Sequence, residues 1–319
     1  MPCETNVSRS RSSCMSKPYK KLDRLFVAGE WREGQGDTLK NICPWDGGEV
    51  FSMKTARPGD VDEACQAAKE AQREWAALPP SARAAKMLAI GDILEARKDE
   101  IAEWIMQEVG GTQVKAALEL MLVTQVARQE AAALPYMVEG AILPEDIPGK
   151  ESRAYREPAG VVALISPWNF PLQLTARTLF PALALGNAVV LKPASDTPVT
   201  GGTIFAAICE EAGLPKGLVS VLPGSGADIG DALVRHPIPS VVSFTGSTPV
   251  GRNVGKAALD GDRIKSLELE LGGNSPIVVL DDADIDYAVE ASVWGKFMHQ
   301  GQICMIANRI VVEDSVHDE

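Results

Sequence analysis

Long apolar runs, histidine and regularly spaced cysteine are all lacking in this chain, and each lack closes off a class of function. No apolar stretch approaches the length of a membrane span. Lys and Arg number 31 against 43 Asp and Glu, and the resulting net charge of −12 argues against nucleic acid or an anionic membrane as partner. The cysteines (Cys3, Cys14, Cys43, Cys65, Cys209 and Cys304) form no C-x-x-C pair, so neither a disulfide framework nor a metal site is expected. With only three histidines (His236, His299 and His317), a Cys–His pair has few candidates. No internal repeat is present. The start, "MPCETNVSRSRSSCMSKPYKK", is Ser/Arg-rich and lacks the apolar stretch of a secretory signal. Residues 1–21 are therefore expected to form a disordered extension, and the cytoplasm is the expected location.

What is present suffices for a large core: 319 residues, 45% hydrophobic, a length that predicts two lobes. "RLFVAGEW" and "GEVFSMKTA" have strand character, with a turn at Gly47-Gly48. Three helical patterns follow. The first starts near Asp60 with Val61, Ala64, Cys65 and Ala68 at helical spacing. The second runs from Pro80-Ser81 to Gly110-Gly111 and places Met87, Ile90, Leu94, Ile101 and Ile105 on one face. The third runs from about Thr112 towards Pro135. Cys65 and Cys209, both on helical segments, read as small buried hydrophobes. The polar, Pro/Gly-punctuated stretch from about 138 to 158 predicts a projecting hairpin.

The texture then changes. "GVVALISP", "NAVVLKPA", "LVSVLPG", "SVVSFTG" and "SLELELGG" are short apolar runs alternating with helical stretches, the pattern of β-α-β units. Thr197-Pro198 offers an N-cap and an N1 proline for one of those helices. The fold class predicted is α/β: a doubly wound, Rossmann-like parallel sheet over residues 22–273, then the start of a second α/β domain over 274–319. In that second part a strand "SPIVVL" precedes a helix with Ile285, Val289, Val293 and Phe297 on one row, then Cys304 and the strand "RIVV".

A doubly wound sheet suggests a nucleotide, which makes the glycine loops informative. "GSGADIG" has one residue too many for a dinucleotide fingerprint, and "GRNVGKA" lacks the P-loop spacing; both read as turn or helix-packing glycines. "FTGSTPVG" follows a strand and opens a helix at Pro249. There Gly246 and Gly251 are expected to leave room, while Ser247 and the first helical N–H groups face an anion such as a pyrophosphate. Three further residues carry chemistry. Cys304 supplies a nucleophile, Asn169 in "SPWNFP" an amide for a developing oxyanion, and Glu270 in "ELGG" a base to activate water.

"PWNFP", "LKPA", "FTGST--G", "LELGG" and "GQICM--NRI", in that order, resemble the NAD(P)-dependent aldehyde dehydrogenase superfamily. The texture is most similar to its benzaldehyde/vanillin-type members. The resemblance implies that Cys304 attacks the aldehyde carbon, that Asn169 and the Cys304 backbone N–H hold the oxyanion, and that Glu270 activates water against the thioester. On the cofactor side it implies Lys192 at the adenine ribose and Ser247 with Trp168 near the pyrophosphate; Gly246, Gly251 and Leu271 complete that set. Glu270 favours hydrolysis over transfer to coenzyme A. Ser195 stands where strictly NAD-using relatives carry a Glu that repels a 2′-phosphate, so NADP is expected to be accepted beside NAD. Phe170 is expected to wall the aldehyde pocket. Arg177 either meets a polar ring substituent or pairs with a nearby acid.

Two rivals stand beside this reading. A cysteine hydrolase would need His299 as a partner for Cys304, and His299 reads as a surface or capping residue. A non-catalytic NAD(P)-binding remnant is the other. The resemblance also implies that family members continue well beyond residue 319, with dimers or tetramers built through the hairpin. The chain thus reads as the N-terminal two-thirds of such an enzyme, weak or inactive alone.

Overall fold

A computed structural model describes residues 18–138, 140–261 and 263–318. The Ser/Arg-rich start up to residue 17, with Cys3 and Cys14, lies outside the described residues. Two short strands, β1 (Leu25–Val27) and β2 (Glu30–Arg32), precede a separate antiparallel ribbon of β3 (Thr38–Ile42) and β4 (Glu49–Lys54). Helices α1 (Pro58–Ala76), α2 (Pro80–Ala96), α3 (Lys98–Val109) and α4 (Gln113–Gln125) follow, then a short α5 (Leu134–Met137). The projecting segment pairs β5 (Ala141–Leu143) with β6 (Ser152–Ala154) in antiparallel register, and both strands are largely exposed.

The centre is built from β7 (Val161–Ile165), α6 (Pro171–Ala184), β8 (Ala188–Lys192), α7 (Ile204–Glu211), β9 (Val219–Val221), α8 (Asp231–Arg235), β10 (Val241–Thr245), α9 (Thr248–Leu259) and β11 (Ser266–Glu270). Sheet order is β11-β10-β7-β8-β9-β1-β2. The first five strands run parallel, and β1 and β2 close one edge antiparallel. Counting only the parallel strands in chain order, the arrangement is 3-2-1-4-5, a doubly wound sheet of the class expected from the alternation of strands and helices. β7 and β8 are buried at every residue, as apolar β-branched strands covered on both faces must be. After it come β12 (Ser275–Val279), α10 (Ile285–Phe297) and β13 (Ala307–Val312), with β12 and β13 forming a separate parallel pair.

Two local expectations need correction. The second helical pattern is two helices, broken at Arg97. The Arg97 guanidinium pairs with Glu100 and Glu211 and lies over the Tyr19 ring, so the break serves a buried cation while Leu94 and Ile101 stay fully buried on either side. Thr197 does not cap the helix beyond it; its hydroxyl is buried without a partner. The cap comes from Glu108 on α3, whose carboxylate accepts the Val199 N–H at 3.0 Å and the Thr200 N–H at 2.6 Å. Burial raises the Glu108 carboxyl to about 7, against those bonds, which favour the charged form. Val289, Val293 and Phe297 of α10, read as one helical row, are exposed. The small residue Gly295 is the one set against Ile277 and Ala307 of the strand pair.

Candidate active site

In an open α/β sheet the ligand crevice lies at the carboxyl ends of the strands, where the strand order reverses. Here that point falls between β7 and β10. β7 runs into Ser166-Pro167-Trp168-Asn169, and Pro171 at the start of α6 fixes the exit. β8 ends on Lys192, and β10 runs through Gly246 into α9.

Beside this reversal a cleft of about 390 Å³ is lined by Ile165, Lys192, Gly226, Phe244, Val250 and Val254, among others. Lys192 is buried, and burial pulls its ammonium down to about 8, with Asp196 opposing. Its Nζ donates to the Pro193 carbonyl at 2.9 Å. Ser247 is the exposed N-cap of α9 but its side chain makes no capping bond, which leaves the first N–H groups of a twelve-residue helix open. The room at Gly246 and Gly251 was expected to be left for a ligand; it is filled from within. A side chain at Gly246 would run into Phe244, and one at Gly251 into Leu271. Both glycines therefore have a packing role, with Leu271 set against Gly251. Ser195 donates to the Gly224 carbonyl at 3.2 Å. Trp168, 42% exposed, stands over a neighbouring cleft with Asp196, Gln300 and Gln302. The "GSGADIG" loop, set aside on spacing, does reach the first cleft through Gly226, Ala227 and Gly230. A side chain at Gly224 would run into Ile229, the packing role expected of this loop.

A second pocket, of about 260 Å³, joins two of the three chemical residues: Cys304 and Asn169 both line it. Phe170, Leu174, Arg177 and Trp294 contribute to its walls. Cys304 is exposed, whereas burial pushes the Cys65 and Cys209 thiols up to about 12. A nucleophile must be reachable by its substrate. Asn169 Nδ2 donates to the Gln302 carbonyl at 2.7 Å, tying the β7 turn to the cysteine loop. One amide hydrogen remains for another acceptor. The "ELGG" bend approaches the same loop. A side chain at Gly273 would collide with the Cys304 carbonyl, and Asn308 Nδ2 donates to the Gly273 carbonyl at 3.3 Å. Glu270 is exposed and does not line the pocket itself. Its carboxylate lies 3.8 Å from Arg177 Nη2, and Arg177 also reaches Thr245 Oγ1 at 3.4 Å. Of the two expectations for Arg177, pairing with an acid is what the structure contains.

His299 is neither on the surface nor a cap. It is buried, its ring meets Phe170 edge-on at 5.1 Å, and neither nitrogen makes a well-formed hydrogen bond. Burial first, and then the Lys115 charge, bring its pKa down to about 4. With its basicity lowered and no hydrogen bond to Cys304, His299 does not form the paired dyad a Cys–His hydrolase needs. Sequence reasoning also missed Leu118, Leu122 and Trp294 as pocket walls; no motif marks them, because a helix face carries only periodicity. Among the described residues no group of three His, Cys, Asp or Glu could hold a metal ion, and no helix is long and apolar enough to cross a membrane.

The fold and site thus define a doubly wound α/β protein with a crevice at its strand reversal and a reachable thiol nearby. The chain belongs to the aldehyde dehydrogenase family, whose model matches residues 31–319. It is 52% identical over 295 residues to a vanillin dehydrogenase of Corynebacterium glutamicum, covering 92% of this chain and 61% of that protein. It is 46% identical to a benzaldehyde dehydrogenase of Bacillus subtilis, covering 94% of this chain and 62% of that one. The crystal structure of an NAD-dependent benzaldehyde dehydrogenase from Corynebacterium glutamicum superposes with a TM-score of 0.89 at 51% identity, over 93% of this chain and 65% of that chain. The chain therefore spans about three-fifths of the length of the curated relatives it matches.

Proposed function

We propose that this chain carries the reacting groups of an NAD(P)-dependent dehydrogenase that oxidises an aromatic aldehyde to its carboxylic acid. The observation that carries the reading is the pocket in which the exposed Cys304 faces the Asn169 amide between apolar walls that include Phe170 and Trp294. Such walls accept a ring, and the two polar groups meet at the carbonyl end.

The residues at the other cleft fit a dinucleotide. The apolar floor of Ile165 and Val254 suits an adenosine, Lys192 has donors for its hydroxyls, and the open α9 N-terminus suits a pyrophosphate. Ser195 adds no negative charge there, so NADP is accepted beside NAD. When bound, the nicotinamide supplies a hydride acceptor.

The chain's own residues do the rest. The Cys304 thiolate bonds to the aldehyde carbon, and the carbonyl oxygen becomes an oxyanion held by the free Asn169 N–H and the Cys304 backbone N–H. Departure of the hydride from that carbon restores the carbonyl and leaves a thioester on Cys304. Glu270 takes a proton from water, the hydroxide adds to the thioester, and the carbon–sulfur bond breaks to release the acid and the thiolate. The exposed β5–β6 ribbon, with Ile142, Leu143 and Tyr155 uncovered, is the surface through which copies associate. A cytoplasmic location fits such an enzyme.

Benzaldehyde with NAD, then with NADP, is the direct assay. Dinucleotide reduction that disappears in Cys304→Ser supports the reading, and Glu270→Gln should leave an acylated Cys304 detectable by intact mass. Ester cleavage without a dinucleotide, and no aldehyde-dependent reduction, would instead make this a hydrolase. Dinucleotide binding with neither reaction would make it an inert binding module.

A further inference from the structure

α4 holds a lysine and a glutamate that no step above uses. Lys115 and Glu119 are four residues apart, both buried, and hydrogen-bonded to each other. Burial pushes the Glu119 carboxyl up and the Lys115 ammonium down, each opposed by the other's charge. A buried pair of this kind is poorly explained by stability, because apolar side chains of equal volume would do as well or better. Its contacts point elsewhere. Glu119 Oε1 accepts the Gln173 N–H at 2.9 Å, in the first turn of α6. The Lys115 ammonium stands 4.7 Å from the centroid of the Phe170 ring. The His299 ring meets that same Phe170 edge-on at 5.1 Å, and His299 lies in the segment leading to Cys304. Asn169, next to Phe170, is tied to that segment through the Gln302 carbonyl.

We propose that Lys115 and Glu119 are positioning residues for the aromatic wall of the aldehyde pocket. Glu119 anchors the start of α6, and Lys115 attracts the face of Phe170. Together they hold the Asn169–Phe170 turn at a fixed setting against the cysteine loop. An ammonium over a ring fixes its plane in a way that apolar packing does not. A neutral His299 is the compatible neighbour, since a second cation beside Lys115 would be repelled. The inference rests on Asn169, Phe170 and Cys304 sharing one pocket.

Alkylation of Cys304 by two reagents with the same reactive group tests this without cofactor or turnover. Iodoacetamide reports on the thiol alone; N-benzyliodoacetamide must also seat a ring beside Phe170. Rates at Cys304 are read by peptide mass, with Cys304→Ser assigning the site. The unaltered protein should favour the benzyl reagent. Lys115→Met/Glu119→Gln, which keeps volume and an acceptor for the α6 N–H, should lower that preference about five- to tenfold with the iodoacetamide rate little changed. An unchanged preference in the folded double variant overturns the positioning role and leaves the pocket reading standing. No preference in the unaltered protein overturns the pocket reading, and the proposal with it. Should the double variant fail to fold, Lys115→Met alone decides: Glu119 keeps its hold on α6, so a lost preference supports the role and an unchanged one ends it.

Discussion

β8 and β13 are written in similar residues, "AVVLK" and "ANRIVV", yet every residue of β8 is buried while most of β13 is exposed. β8 lies between β7 and β9, and α1 and α6 both pack on it. β13 pairs with β12 alone and has α10 on it. The helices differ in the same way. Leu172, Leu179, Phe180 and Leu183 of α6 are fully buried, whereas α10 has no buried residue. An apolar β-branched run announces a strand, but burial depends on the layers stacked above it, and those come from elsewhere in the chain.

The largest expected effect breaks this comparison at two phenylalanines. Phe180 is fully buried and Phe297 is 67% exposed. Phe180→Ala should cost about 3–5 kcal/mol of stability. Phe297→Ala should change it by less than about 0.5 kcal/mol. Urea unfolding of both variants is the check; equal losses would mean that α10 is covered in solution.

Next comes a carboxylate that only the sheet-bearing part of the molecule could tolerate. Glu108 titrates near 7 in the folded state against 4.5 for a free carboxyl, with burial as the cause. A raised acid binds its proton more tightly in the native state, so stability is greatest below the unfolded value and falls as pH rises. The window runs from about 4.5 to about 7. The full shift corresponds to about 3 kcal/mol. Stability measured across that window should slope downward, and Glu108→Gln should flatten the slope. A slope that survives the substitution assigns it to another group.

How much of this could be read from the residues alone follows the same divide. The parallel sheet was legible from its short apolar runs, of which β7, β8 and β9 are buried throughout, whereas β11 is mostly exposed and the strand order is set by the packing. Cys304 and Asn169 stand in compact motifs that sequence states directly, and both line one pocket. What was not legible depends on contacts distant in sequence. Glu108 caps a helix some ninety residues away, Arg97 breaks a periodic pattern to reach Glu211, and His299 is buried by Phe170. Gly246 and Gly251 were read as making room for a ligand, and the atoms that lie against them are those of Phe244 and Leu271. A motif names residues that must be small or polar; packing decides what they face.

Lys192 offers a middle-sized effect. Its ammonium titrates near 8 because it is buried at the end of β8. The charged form, present below that pH, is the better donor to a cofactor hydroxyl. NAD affinity followed by calorimetry should therefore decline as pH rises through about 8. Lys192→Met should weaken binding about ten- to hundredfold and remove that decline, since a charge-assisted hydrogen bond is worth ~1.5–3 kcal/mol. Unaltered binding in the variant would detach Lys192 from the cofactor cleft.

The smallest change sharpens the comparison from the exposed side. Val289 and Val293 stand 57% and 52% exposed on α10, beside the exposed Phe297. A contiguous apolar surface of this sort promotes association. Val289→Gln/Val293→Gln removes part of it and substitutes a better helix former, so stability should move by no more than about 0.5 kcal/mol. Sedimentation should show less self-association for the pair of substitutions, with the unfolding midpoint unmoved. If the midpoint instead falls by the amount typical of a core valine, the row is a packed face, and the divide between β8 and β13 is one of partner and not of exposure. The two strands would then differ only in where their covering layer comes from.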